Sequence, residues 1–449
     1  MLKFGTDGVR GVANAELTPE LALALGRAAA RVLGGDHFAV GRDTRRSGPL
    51  LEAALGAGLA SEGADVTLLG VAPTPEVAWW SVQQDAPAAM VSASHNPFPD
   101  NGIKLFAAGG RKLSDEVEAR LETELSHLMS EGPTGAPPTG ADVGRIVPAG
   151  DDHAGYASAV AATLEGRRLD GLRVVVDCAN GSASVVAPGV LAGLGLTVEV
   201  LCDQPDGTNI NAGCGSTDPR ALARTVVETG ADVGVAFDGD ADRVMLVDAA
   251  GEIVDGDQII ALCARDRHDR GVLRGGRVVV TVMTNLGFRL AMEKAGIVVV
   301  ETPVGDRYVL EALESQGLAL GGEQSGHVIF RDLCTTGDGL LTAVQALDVV
   351  VRAGRPLAEV AADAMTRLPQ VLRNVRVAER DPAVVDRLAP LIAQVEARLG
   401  PEGRVLIRPS GTEPMVRVMV EAPTEAAAEA AVSELVTAVE RDRPGPVRP

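Results

Sequence analysis

Ser94 closes a strand-like run. In AAMVSASHNPFPDNGIKLF it comes shortly after four apolar residues, and His95, the turn residues Pro97, Asp100 and Asn101, and Lys104 trail behind it. Such a serine belongs either to a tight surface turn or to a loop that holds a hydroxyl out for covalent chemistry. Serine alone is a weak nucleophile, and His95 invites a hydrolase reading. Against that reading, a G-x-S-x-G elbow is absent and neighbouring side chains in an extended turn point apart. A serine that carries a phosphoryl group, with Lys104 as charge or proton partner, fits better.

Four further loops carry polar groups between apolar runs. FDGDADRV (237–244) sets Asp238, Asp240 and Asp242 at alternate positions. In an extended segment their carboxylates would all face one way. Three such oxygens suit Mg2+, which wants an octahedral shell and commonly keeps water or phosphate in it. An EF-hand is excluded, because Arg243 and Ala249 stand where it needs Gly and Glu. The apolar flanks VGVAF and VMLV speak against a merely solvated acidic turn. In GGEQSGHVIF (321–330), glycines flank Glu323, Ser325 and His327. Backbone can then come close to a ligand while a carboxylate and a hydroxyl reach a sugar ring; a plain hairpin turn is the other reading. RPSGTEPMVR (408–417) sets Arg408, Ser410, Gly411, Thr412 and Arg417 round one loop, as a phosphate nest or a charged hairpin. It is not a P-loop. GTDGVRG (5–11), with Arg10 between glycines, reads by itself as a turn. Together the loops ask for one site, and a cleft between domains is where such scattered residues can meet.

The frame behind these loops repeats. HFAVGRDTRRSG, LLEAALGAGLASEGA and DVTLLG form one unit; LRVVVDCANGSAS, VVAPGVLAGLGL and TVEVL a second; GRVVVTVMTNLGF, RLAMEKAG and IVVVE a third. Each predicts strand, polar turn, helix, glycine stop and strand, hence βαβ units that form parallel sheets with right-handed crossovers. The last 80 or so residues, with VLRNVRV, RVLIRP, MVRVMVEA and two helical stretches, predict a small α+β domain. The tail RDRPGPVRP is expected to be mobile. Pro/Gly-rich EGPTGAPPTGADVG (131–144) and the stretch Arg367 to Arg373 are candidate linkers.

Composition agrees with this frame. Of 449 residues 46% are apolar but only 2% aromatic, so Val, Leu, Ile and Ala must build the cores. A formal net charge of −20 argues against nucleic acid or an anionic membrane as partner. The five cysteines (Cys178, Cys202, Cys214, Cys263, Cys334) show no CxxC spacing and read as small buried residues in a reducing compartment. Neither an apolar signal core nor a run of about 18 apolar residues is present, which points to the cytoplasm.

SASHNP with NGIK, DGDADR, GEQSGH and RPSGTEP resemble, in order and spacing, the four signature loops of the α-D-phosphohexomutases. The resemblance covers the whole chain. FGTDGVRG, SHNPFPDNGIK, TPVGDRYV (302–309), GEQSGH and TTGDG (335–339) are most similar to the bacterial glucosamine-phosphate branch of that family. It implies an α/β fold: three related α/β domains with mixed sheets and a small C-terminal α+β domain around a central cleft. Their expected bounds are 1–150 with the phosphoserine loop, 151–254 with the metal loop, 255–368 with the sugar-binding loop and 369–449 with the phosphate-binding loop.

The resemblance also implies roles. Ser94, not Ser92, would be the phosphoserine, and one Mg2+ per site would be held by its phosphate with Asp238, Asp240 and Asp242. Lys104, Arg10, His95 and His327 would serve the transfer. Arg243, Gly305, Asp306, Glu323, Ser325, His327, Arg408, Ser410, Gly411, Thr412 and Arg417 would bind substrate. The expected reaction interconverts glucosamine 6-phosphate and glucosamine 1-phosphate through glucosamine 1,6-bisphosphate, which or a similar sugar also acts as activator, on the way to UDP-N-acetylglucosamine and peptidoglycan precursors. A homodimer is left open. The rivals are the phosphomannomutase/phosphoglucomutase reaction on the same fold, a non-catalytic sugar-phosphate sensor, and a serine hydrolase built on Ser94 and His95.

Overall fold

A computed structural model describes residues 8–150, 153–379, 383–409 and 414–441. The chain divides into two compact units, one of residues 1–283 and 297–362 and one of residues 284–296 and 363–449. The first unit holds three sheets. The first sheet contains β1 (Val9–Val12), β2 (His37–Arg42), β3 (Asp65–Val71), β4 (Ala88–Val91), β5 (Asp100–Ala107), β6 (Arg111–Lys112) and β7 (Ile146–Pro148). The second contains β8 (Arg173–Asp177), β9 (Thr197–Leu201), β10 (Val233–Phe237), β11 (Val244–Asp248) and β12 (Ile253–Val254). The third contains β13 (Arg277–Thr281), β14 (Val298–Thr302), β15 (Leu320–Gly322) and β16 (Val328–Phe330).

One arrangement recurs in all three sheets. The orders β3-β2-β4-β5, β9-β8-β10-β11 and β14-β13-β15-β16 are the same pattern. In each, the first strand pairs parallel with the second and third, and the third pairs antiparallel with the fourth. The repeated sequence units therefore fold as expected: three copies of one βαβ frame with a reversed last strand. The strands at the middle of these sheets are short continuous apolar runs because both faces are covered. AAMV of β4 and VGVAF of β10 are buried throughout. The Pro/Gly-rich stretch after helix Asp115–Glu131 does not simply leave the first domain. It returns to the sheet as β7, which pairs with β3.

The second unit has an antiparallel sheet of β17 (Gln370–Arg376), β18 (Arg404–Pro409) and β19 (Met415–Glu421), in the order β17-β19-β18. Helices Val384–Leu399 and Glu425–Arg441 supply the other half of its core, with Leu388, Val395, Val432 and Leu435 against Val405, Val418 and Val420. This is the small α+β domain expected. The tail from 442 lies outside the described residues.

Candidate active site

Equivalent positions in the three copies hold the candidate residues. The turn between the third and fourth strands of each frame holds Ser94 (β4 to β5), Asp238 to Arg243 (β10 to β11) and Glu323 to His327 (β15 to β16). All three turns belong to the first unit.

Ser94 sits at φ +53°, left-handed for a non-glycine residue, and is fully buried. Such a conformation costs about 1 kcal/mol or more and persists only where surroundings enforce it. Here the enforcement is Arg45. Its guanidinium donates to the carbonyls of Ser94 (2.8 Å), Asn96 (2.8 Å), Pro97 (2.6 Å) and Asp100 (3.1 Å). Asp43 accepts from Arg45 Nε (2.8 Å) and from Ser92 Oγ (2.7 Å), and Ser92 Oγ accepts from Ser94 N (2.8 Å). Ser92 thus props the turn, while Ser94 Oγ points at Asp238 Oδ2, 2.6 Å away. Asp43 and Arg45 escaped the sequence reading, which took GRDTRRSG only as a repeat's turn. The signal that could have found them is a charged cluster directly after a buried strand.

Ser94 and His95 do not point apart as an extended turn would require. The left-handed residue brings His95 Nδ1 to 3.3 Å from Ser94 Oγ. No triad results, because Arg243 Nη1 donates to that same Nδ1 at 3.0 Å. Burial, with the charges of Arg243 and Arg10, pushes the His95 pKa down to about 4. A neutral imidazole with its lone pair engaged is a poor base for Ser94.

The aspartates also converge differently from the expectation. Residues 238–242 form a tight turn, with Ala241 at φ +57°, and the turn rather than strand alternation gathers the carboxylates. Gly239 is obligatory there, since a Cβ would lie 2.6 Å from Ser94 O. Carboxylate oxygens of Asp238, Asp240 and Asp242 lie within 4.8 Å of one another. Lys104 Nζ donates to Asp240 Oδ2 (2.9 Å) and Asp242 Oδ2 (3.3 Å), and Thr74 Oγ1 donates to Asp240 Oδ2 (2.7 Å). Arg243 N donates to Asp238 Oδ1 at 3.2 Å. Burial, then the charges of Asp242 and Asp240, raise the Asp238 pKa well above the carboxylate range. Burial opposes ionisation of Asp242 too, but Lys104, His327 and Arg243 outweigh it and hold its pKa well below that range. Among the described residues, the buried oxygens Asp240 Oδ1 and Asp242 Oδ1 have no hydrogen-bond partner. Orphaned carboxylate oxygens in an all-oxygen cluster are the donor set of a hard divalent cation, so these residues fit Mg2+.

His327 is buried between two carboxylates, with Nδ1 3.7 Å from Asp242 Oδ2 and Nε2 3.6 Å from Asp306 Oδ2. Burial disfavours its charge, yet Asp242 and Asp306 prevail and its pKa is raised. Gly337 of TTGDG explains that motif in part, since a Cβ there would lie 2.3 Å from the His327 ring. Asp306 also pairs with Lys112. Glu323 Oε1 accepts from Gly305 N at 3.1 Å, which ties the two sugar-loop candidates together. The turn carrying Glu323 and Ser325 is indeed a hairpin, β15 to β16, and Ser325 Oγ is buried without a hydrogen-bond partner among the described residues. Arg10 lies in β1 opposite Gly102 of β5, a strand position and not the turn expected.

The second unit carries the remaining candidates. Arg408 and Arg417 are direct partners on β18 and β19. Like charges facing across a pair repel, so an anion between them would be welcome. Ser410, Gly411 and Thr412 lie outside the described residues. Two cysteines depart from expectation, for Cys202 and Cys334 are only partly buried; all five are free thiols.

Domain profiles described as phosphoglucomutase/phosphomannomutase α/β/α domains I, II and III match residues 1–131, 154–251 and 255–368, and the family's C-terminal domain matches 372–438. The chain belongs to the phosphoglucomutase/phosphomannomutase family. Within it, the chain is 55% identical over 461 residues to the phosphoglucosamine mutase of Frankia alni, covering 99% of both. A family protein of Burkholderia thailandensis, at 26% identity, superposes with a TM-score of 0.80 over 98% of each chain. The N-acetylphosphoglucosamine mutase of Aspergillus fumigatus, solved with GlcNAc-6P and magnesium, shares the fold at 20% identity with a TM-score of 0.68, over 98% of this chain and 95% of its own. The chain is thus a mutase of the phosphohexomutase family. Among the described residues no helix is long and apolar enough to cross a membrane.

Proposed function

We propose that this chain interconverts glucosamine 6-phosphate and glucosamine 1-phosphate through a phosphorylated Ser94, supplying UDP-N-acetylglucosamine synthesis in the cytoplasm. The observation that carries the reading is the Ser94 hydroxyl placed 2.6 Å from Asp238 within a cluster of three carboxylates and Lys104. The near-complete match to a phosphoglucosamine mutase supports the substrate.

In the first half-reaction the C1 hydroxyl of glucosamine 6-phosphate attacks the Ser94 phosphorus. The bond from phosphorus to Ser94 Oγ breaks as the bond to the sugar oxygen forms, and the hydroxyl proton passes to a base. Glucosamine 1,6-bisphosphate then turns over in the site, and its 6-phosphoryl group returns to Ser94 by the reverse steps. The same bisphosphate, added free, would prime Ser94. Asp238, Asp240 and Asp242 would hold Mg2+, whose charge, when bound, offsets that on the transferring phosphoryl oxygens. Lys104, fixed by Asp240 and Asp242, and Arg243, fixed by Asp238 and His95, add positive charge beside Ser94 Oγ. His327, buried between Asp242 and Asp306 with its pKa raised, would hold a proton near the sugar. Arg10 would clamp the substrate, Glu323 and Ser325 would read its ring hydroxyls, and Gly305 and Asp306 would shape the sugar pocket. Arg408 and Arg417, with Ser410, Gly411 and Thr412, would grip the phosphate that is not reacting, in either orientation.

Phosphorus NMR tests the substrate. Purified protein with Mg2+ and a trace of sugar 1,6-bisphosphate is given glucosamine, glucose or mannose 6-phosphate in parallel tubes. The expected result is a new anomeric phosphate signal, fastest with glucosamine 6-phosphate. Faster conversion of glucose or mannose phosphate would overturn the substrate and keep the chemistry.

A further inference from the structure

Away from Ser94, a second set of ligand-type side chains meets in the second sheet domain. Asp177 ends β8, Cys202 directly follows β9, and Cys214 lies on the loop before helix Arg220–Thr229. Both sulfurs and a carboxylate oxygen of Asp177 lie within 4.8 Å of one another. None of the three belongs to the loops described above. Asp177 and Leu201 are register partners, so Asp177 and Cys202 leave the carboxyl ends of neighbouring parallel strands, where α/β sheets gather ligands. Asp177 is held in place by the chain it faces. Its Oδ1 accepts from Ala179 N (2.9 Å) and its Oδ2 from Gly215 N (2.8 Å). Asp177 also accepts from the Cys202 thiol, whose proton would leave as a metal bound, and hydrogen bonds that orient a carboxylate from behind are what metal ligands have.

Two sulfurs and one oxygen are a different donor set from the aspartate cluster. A tetrahedral ion with metal–sulfur bonds of about 2.3 Å sets its sulfurs about 3.8 Å apart, which the observed spacing accommodates. Hard cations such as Mg2+ avoid thiolates, and Zn2+ takes them. We propose that Asp177, Cys202 and Cys214 form a site for a soft divalent cation such as Zn2+, with water as the fourth ligand. Each thiol releases its proton to water as the metal–sulfur bond forms. The ion would join both ends of the loop between Cys202 and Cys214. That loop is hydrogen-bonded to the first sheet domain: Gly207 O accepts from Arg46 N (2.8 Å), and Asn211 Nδ2 donates to Ser94 O (2.9 Å) and Asn96 O (3.3 Å). The ion would brace the Ser94 turn from behind.

Cobalt titration of the reduced full-length protein tests the site. Thiolate-bound Co2+ shows an intense sulfur-to-metal charge-transfer band, which the all-oxygen aspartate cluster cannot produce. The expected result is a saturable band at one ion per chain, displaced by Zn2+, weakened at least tenfold in affinity by Cys202→Ser or Cys214→Ser, and unchanged by Cys334→Ser. In the wild-type protein, Zn2+ should also slow alkylation of Cys202 by iodoacetamide, read by peptide mass, which covers the case that Cys214→Ser fails to fold. Absence of the band, its persistence in Cys202→Ser, or equal alkylation with and without Zn2+ would overturn the site.

Discussion

The Ser94 turn follows β4 and the aspartate turn follows β10, the same step in two copies of one frame. They are held in opposite ways. Around Ser94, the buried Arg45 guanidinium satisfies four carbonyls and Asp43 satisfies Arg45. Among the described residues, the aspartate turn leaves Asp240 Oδ1 and Asp242 Oδ1 without a hydrogen-bond donor, Arg243 Nε lying 3.7 Å from the latter, and leans on Lys104 and Thr74 for the rest. One turn is over-determined, as a turn that must present a hydroxyl in a left-handed conformation has to be. The other is under-satisfied, as a turn proposed to hold a cation would be. A common frame thus supports two chemical tasks through what surrounds each turn.

The largest effect should come from the over-determined side. Arg45→Ala removes the buried countercharge of Asp43 and a donor from each of four carbonyls, and breaking such a buried pair costs about 3–5 kcal/mol. Urea unfolding reads this, and a loss under 1 kcal/mol would mean that Arg45 is not the clamp. On the under-satisfied side, Asp242→Asn should cut kcat by roughly 10²–10³-fold, the size seen when one preorganised electrostatic group is removed. Full turnover in that variant would break the comparison. Smaller again, Arg417→Ala removes a charge-assisted grip of about 1.5–3 kcal/mol, so KM should rise about tenfold or more while kcat and Mg2+ affinity stay close to wild type. An equal loss of Mg2+ affinity would contradict its assignment to the phosphate.

The smallest effect concerns Asp338, which caps helix Gly339–Ala353 and accepts from Tyr156 OH at 2.9 Å. Burial raises its pKa from 3.8 to about 6, against the opposing hydrogen bonds from Leu341 and Tyr156. A carboxyl whose folded pKa is raised stabilises the fold fully below pH 3.8 and loses that contribution as pH rises through about 6. Asn caps a helix as well as Asp but does not titrate, so Asp338→Asn should keep the cap and lose this pH dependence. Relative to the variant, wild type should lose stability between pH 4 and 6; parallel profiles would show that Asp338 ionises freely.

The turns were legible in the sequence because each is a polar stretch between buried apolar strands, and the βαβ repeat was legible because Val-rich runs alternate with Ala/Leu stretches that stop at glycine. What the local pattern could not show is geometry set by one residue or by distant partners. Ala241 in a left-handed conformation gathers the aspartates, and Ser94 in the same region brings His95 close, contrary to what an extended reading allows. Arg45 reaches carbonyls about fifty residues away, Thr74 meets Asp240 across 166 positions, and Tyr156 meets Asp338 across 182. Spacing within a motif carries no trace of such meetings.

Phosphopeptide mapping of protein incubated with Mg2+ and glucose 1,6-bisphosphate tests the central claim most directly. One phosphoryl group on Ser94, removed again when glucosamine 6-phosphate is added and absent from Ser94→Ala, is the expected result. A phosphoryl group on Ser92 or elsewhere, or turnover by Ser94→Ala at the wild-type rate, would contradict the assignment of Ser94 as the group that carries phosphate.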